Sequence, residues 1–506
     1  MDFYEQYKPF RNYIRNFEIV DSLNALKHIL LFLQEDTPLP SYFCSWHRSN
    51  ISLMKKHIHS WEIEILIREV ILNGNTYGTK TLSVWNHFYK AIEMLREIED
   101  LAATVGSINN KFDNLELDRI IHRQIIWQND PEGLSITKAS MVFGDENLRE
   151  LIEEEYGLGI EKILLLMIIS KSMISRNIYF DTSTNFDCFS INQQQSCRVF
   201  EKIIISLKDL KENLRLTQQY NENWAYTWNP LISNPLIILD SQKRNHVICP
   251  IPMYLLRRST SGIFYDLVHN ERFTNPFGAS FENFVGEIIN TSCDKDRFSV
   301  TKIKPYTVKK NPRHGVDWVL SDISANLFIE TKTKRLTLRS KTTIDPQHMD
   351  KDIKILAEAI VQNYKNIKDI YKGLTNFNVN DLPSYSMIIT MEDWYFVNPY
   401  LSQRLFLAVT EKMKVEHINI EYLYKYPFSV LSSNEFEYAC QAIGIIGIKN
   451  CMDRIIYKGK FEHSIIPRAS RIFSDLNVKS FLFSEHYDSI WKDEIIMAKK
   501  KIRDRR

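Results

Sequence analysis

Residues 278–335 constrain this chain more than any other stretch, because they must form a helix and then a hairpin in quick succession. Phe281, Phe284, Val285, Ile288 and Ile289 recur at helical spacing and predict one buried stripe, with Ser280 as the N-cap. Glu282 sits at the edge of that stripe and Glu287 on its solvent side. Residues 316–320 (VDWVL) and LFIETK then read as two strands, and SDISAN between them supplies the turn-formers of a hairpin. Along the second strand Phe328, Glu330 and Lys332 share one face, while Leu327 and Ile329 point the other way into a core. The hairpin brings Asp317 beside Glu330. Packing gives no reason to set a carboxylate and an ammonium two residues apart on such a strand.

Chemistry gives one. Two carboxylates, Asp317 and Glu330, can hold a hard divalent cation, Mg²⁺ or Mn²⁺, through oxygen ligands. Such a cation lowers the pKa of a bound water and stabilises charge on a phosphoryl group under attack. Lys332 can orient that water or neutralise the developing charge. Glu282 completes the set, as a ligand of a second ion or of a water on the first.

Helix glutamate, strand aspartate and E-x-K, in that order, resemble the PD-(D/E)XK, restriction-endonuclease-like nuclease superfamily. GASFENFV resembles the G-x-x-F-E opening helix of several of its branches, and Val316-Asp317 stands where the family often has Pro-Asp. The resemblance covers roughly residues 277–444. It implies a small mixed sheet flanked by helices, a Mg²⁺ cofactor, and Glu282, Asp317, Glu330 and Lys332 as catalytic residues. It implies DNA as the substrate ahead of RNA, tRNA included, and restriction or anti-phage defence as the setting. A retired nuclease fold that only binds nucleic acid is the competing expectation.

The formal net charge is only +2, so the chain as a whole has no basic character. Between residues 301 and 343, however, ten Lys/Arg stand against three acids, an excess that would draw a phosphate backbone. Lys309, Lys310, Arg313, Lys334 and Arg335 are the candidate nucleic-acid contacts. Gln362 and Lys365, on a helix expected over 350–374, are further candidates for reaching the site. Strands are expected at 385–390 and 428–431, the latter followed by a helix whose Ser432 and Glu435 have capping-box spacing.

The remainder reads as scaffold or apparatus for recognition. Residues 1–215 are expected to form a helical domain, with amphipathic segments at 54–72, 88–103, 115–127, 145–156, 160–173 and 192–214. Residues 216–276 hold prolines beside apolar runs and read as an extended, aromatic-rich connector. Residues 277–506 are the expected nuclease domain with a C-terminal extension ending in a basic tail, which makes the whole an α+β chain. Seven cysteines without a C-x-x-C suit free thiols in a reducing cytoplasm. Cys44, His47, His57 and His59 have zinc-like composition but not the paired spacing of a zinc site. No stretch is long and apolar enough to span a bilayer, so no membrane is expected. A phage or host protein acting as a trigger through the N-terminal half, and a second copy of the chain, complete the expected partners.

Overall fold

The computed structural model describes residues 2–108, 115–127, 132–308, 310–343, 345–394, 399–459 and 468–504. The chain is mixed α and β and divides into two compact units. One comprises residues 1–112, 123–273 and 483–506, and the other residues 113–122 and 274–482. The stretch 216–273 therefore belongs to the first unit, as does the C-terminal segment from 483.

The first unit is largely helical. Helix α1 (Phe3–Ile14) is capped by Asp2, whose carboxylate accepts from the Tyr4 amide at 2.9 Å. Helix α2 (Ser60–Asn73) is buried along most of its length. The apolar stripe expected over 54–72 is interrupted: one helix ends at His57, Ile58 is extended, and α2 starts afresh at Ser60 behind His59. The helix expected over 192–214 is also broken. Residues 193–201 are helical, β2 (Ile204–Ser206) follows, and α3 (Leu207–Thr217) begins at the Ser206 cap. Strand β2 joins β1 (Phe180–Asp181), β3 (Leu236–Ile238) and β4 (His246–Ile248) in a sheet of order β1-β4-β3-β2. Each strand is only two or three residues long, too short to leave an alternating pattern. Trp224, Tyr7, Tyr254 and the apolar face of α2 share one core, so Trp224 and Tyr254 of the segment 216–273 are packing residues. The basic tail is helical as well, over Lys492–Asp504. Ala498 is buried there, Glu494 pairs with Lys162, and the preceding Trp491 donates its indole N–H to the Glu161 carbonyl at 2.8 Å.

The second unit is a three-layer sandwich. Helix α4 (Thr274–Ser292) leads into β5 (Ser299–Thr301) and a separate hairpin of β6 (Tyr306–Val308) and β7 (Asn311–Arg313). Then come β8 (Trp318–Ser321), β9 (Asn326–Lys332), helix α5 (Pro346–Tyr371) and β10 (Ser384–Thr390). Helix α6 (Pro399–Val415), β11 (Phe428–Ser432) and helix α7 (Ser433–Ile446) follow. The sheet order is β11-β10-β9-β8-β5. Strand β8 runs antiparallel to both β5 and β9, whereas β9, β10 and β11 are mutually parallel. Parallel neighbours need crossovers, and α5 supplies the one between β9 and β10. Helices α4 and α7 pack together on one face, and α5 and α6 on the other.

Two local expectations change here. Helix α4 starts at Thr274, six residues before Ser280, which is buried inside the helix. Pro276 in its first turn has no amide that the helix needs there. Strand β9 is buried on both faces: Phe328 packs into the α5–α6 core although it lies on the same face as Glu330. Ser432 and Glu435 do form the reciprocal capping box at the start of α7. Among the described residues no helix is long and apolar enough to cross a membrane.

Candidate active site

The site lies where α4, the segment entering β8 and the end of β9 meet in the second unit. Residues 318–321 pair with 326–329, Trp318 opposite Ile329 and Ser321 opposite Asn326, which brings Asp317 to the level of the E-T-K segment. Asp322 holds the intervening turn by accepting from the Ser324 and Ala325 amides through Oδ1. Asp317 is then fixed by Thr331, whose amide and hydroxyl each donate to its Oδ2 at 2.7 Å. Thr331 was not singled out in the sequence, although it is the middle residue of the E-T-K motif.

The spacing between α4 and β8 depends on a missing side chain. The Trp318 ring lies so close to Gly286 that a Cβ there would come within 2.6 Å of Cζ2. Drawn in this way, the Trp318 indole donates to the Glu282 backbone carbonyl at 3.1 Å, one turn earlier on α4. Lys302, just beyond β5, lies over the Trp318 ring at 5.1 Å and pairs with Glu282 Oε1 at 2.6 Å. Trp318, the neighbour of Asp317, therefore gauges where Glu282 stands.

Glu330 is the most perturbed of these groups. It is 6 % exposed, Lys332 Nζ reaches its Oε1 at 2.5 Å, and its buried Oε2 has no hydrogen-bond partner among the described residues. Burial pushes its carboxyl up to about 7, the Asp317 charge adds to this, Lys332 opposes it and Glu282 adds a little more. Glu282 is raised too, first by burial and then by Asp317, with Lys302 opposing. Glu330 and Glu282 thus both feel the Asp317 charge.

A cavity of about 320 Å³ opens beside this cluster. Its walls include Lys332 and Lys334, the apolar residues Leu356, Ala359 and Trp394, and Gln362. Lys332 is the member of the cluster that faces it. Asn363 fastens α5 to the sheet, donating to the Phe328 carbonyl at 3.2 Å and the Ser386 hydroxyl at 2.9 Å, which brings Gln362 to the cavity. Lys365 is not on that wall and pairs with Glu416, just past the end of α6, at 3.0 Å.

The basic excess around the site is largely neutralised within the protein. Arg313 pairs with Asp369 of α5, Lys334 with Asp352 at 3.5 Å, and Lys341 with Glu392. Arg335, only 7 % exposed, pairs with Glu392 at 3.1 Å, so its guanidinium is part of the interior. Lys310 is exposed at the β6–β7 turn with φ of +70°, and Lys309 lies outside the described residues.

The donors at the site suit a hard cation in kind: carboxylate oxygens, one of them buried and without a partner. As positioned, Glu282 is held by Lys302 and Glu330 by Lys332. Among the described residues no group of three or more His, Cys, Asp or Glu side chains stands ready to hold a metal ion. No family model, curated protein or solved structure matches the chain.

Proposed function

We propose that this protein is a divalent-cation-dependent endonuclease that hydrolyses phosphodiester bonds, with DNA as the substrate ahead of RNA. The observation that carries this reading is Glu330: a carboxylate with an orphaned oxygen, raised first by burial and then by the charges of Asp317 and Glu282, and touched by Lys332. A structural ion pair does not require two further carboxylates aimed at the same space. The order α4-β5-β8-β9-α5-β10 supports the resemblance to PD-(D/E)XK nucleases, in which a mixed sheet presents the acidic cluster on a hairpin. Restriction or anti-phage defence rests on that resemblance alone.

Asp317 and Glu330 are the residues that would hold Mg²⁺ or Mn²⁺, with Glu282 beside them. Bound there, such a cation supplies Lewis-acid activation of water and neutralises charge on the phosphoryl group. The chain's own residues do the remaining work. Thr331 keeps Asp317 from rotating away. Lys332, half-exposed on the cavity wall, donates to a non-bridging phosphate oxygen once it is released from Glu330. Leu356, Ala359 and Trp394 exclude bulk water from that side.

The two ammonium–carboxylate pairs favour a second reading, a nucleic-acid-binding protein whose nuclease site has fallen silent. One assay separates them. Supercoiled plasmid, linear DNA and total RNA are incubated with Mg²⁺, Mn²⁺ or chelator, using wild type, Asp317→Ala and Lys332→Ala. Cation-dependent cutting lost in both variants supports the enzyme and identifies the nucleic acid. Equal cutting by all three refutes the site, and retention of nucleic acid without cutting supports the silent reading.

A further inference from the structure

The first unit contains a cleft of about 300 Å³ that the proposed chemistry does not use. Four cations line it in two pairs: Arg11 of α1 with Arg15 at that helix's C-cap, and Lys211 with Arg215 of α3. Each pair is spaced i, i+4, so each brings like charges together at a cost to its own helix. Among the described residues no carboxylate lines the cleft and none of the four is part of an ion pair. The crowding registers on Lys211, whose ammonium is lowered first by burial and then by the charge of Arg215.

Two of the four have a structural occupation. Lys211 donates to the Gly74 carbonyl at 3.1 Å, covering the C-terminal end of α2, and Arg11 bonds the Tyr4 hydroxyl while lying over its ring. Among the described residues nothing comparable occupies Arg15 and Arg215, which line the same cleft. Guanidinium groups present paired N–H donors that match phosphate oxygens. Beside them Tyr220 packs edge-on against Tyr4 at 4.9 Å and remains 37 % exposed, which offers an aromatic surface at the mouth.

We propose that this cleft binds a free nucleotide carrying two or more phosphates, with the phosphates between the two basic pairs and the base against Tyr220. Four convergent cations exceed what a single phosphate needs. The volume lies at the lower end of small-molecule sites, roughly 300–1,000 Å³, and suits a compact ligand better than a passing strand.

The test is equilibrium binding of ATP and GTP to the full-length protein, with tripolyphosphate, adenosine and a single-stranded deoxyoligonucleotide as competitors. In an Arg15→Ala/Arg215→Ala double variant the nucleotide affinity should fall by at least about tenfold, since two charge-assisted contacts are lost. Both side chains are exposed, so the variant should keep the wild-type circular dichroism and melting profile. Tyr220→Leu should weaken ATP and leave tripolyphosphate unchanged. Asp317→Ala should bind ATP as wild type does, which keeps this site separate from the nuclease reading. Absence of nucleotide binding at millimolar concentration, or equal affinity in the double variant, overturns the proposal. Tripolyphosphate binding as tightly as ATP removes the base from it, and an oligonucleotide displacing ATP at lower concentration reassigns the cleft to a strand end.

Discussion

Glu330→Gln should make the folded protein more stable, and only above a certain pH. Burial and the neighbouring carboxylates raise the Glu330 carboxyl from its ordinary 4.5 to about 7. Between those values the folded chain still holds the proton that the unfolded chain has released, so stability falls as pH rises through this window and levels off above it. At about 1.4 kcal/mol per tenfold change, ionising Glu330 in place costs the folded state about 3 kcal/mol. Glutamine keeps the shape, carries no charge to desolvate and still offers Lys332 an acceptor oxygen. Urea unfolding followed by intrinsic fluorescence should show wild type and variant nearly superimposed near pH 5. Near pH 8 the variant should be ahead by up to about 3 kcal/mol. Added Mg²⁺ should narrow the gap near pH 8, because a cation held by Glu330 favours the wild-type carboxylate. A gap that is constant with pH, or that widens toward acid, would refute the assignment of Glu330 as a desolvated, charge-crowded group.

Two further substitutions probe how the site is held. Gly286→Ala places a Cβ within 2.6 Å of the Trp318 ring, so it should lower stability by about 1–3 kcal/mol and reduce cutting, as measured by unfolding midpoint and plasmid cleavage. Thr331→Val keeps the branched shape and the amide bond to Asp317 but removes the hydroxyl one. It should cost about 1 kcal/mol of stability and lower kcat on the order of tenfold with KM little changed, as single-turnover kinetics would show.

The sequence displayed the active-site candidates better than their surroundings. Charged residues interrupting an apolar strand stand out, and a turn-rich hexapeptide between two apolar runs gives the hairpin its register, so Glu330, Lys332 and Asp317 could be placed from local pattern alone. The stripe of α4 was legible for the same reason. Its first turn was not, because Pro276 and Gly278 resemble a boundary until Phe277 is seen buried with the rest of the stripe. Side-chain alternation could not show that β9 is covered twice. That fact depends on α5 and α6, which follow it in sequence and lay their apolar faces over Phe328. Charge counting could not show that Arg335 and Arg313 are paired, because Glu392 and Asp369 lie more than fifty residues away. The small sheet of the first unit escaped because strands of two or three residues have no period to detect.

Membership of the two units alternates along the chain: first, second, first, second, first. A polypeptide emerging from the ribosome therefore completes neither unit in one pass. The first must wait for residues 483–506 before Trp491 can reach Glu161 and Ala498 can be buried, by which time the whole of the second has been synthesised. No single cut yields both units whole. A truncation at residue 273 would leave one without its final helices and the other without its earliest segment, so fragments made to isolate the unit with the candidate site should be built around these exchanges and not at a midpoint.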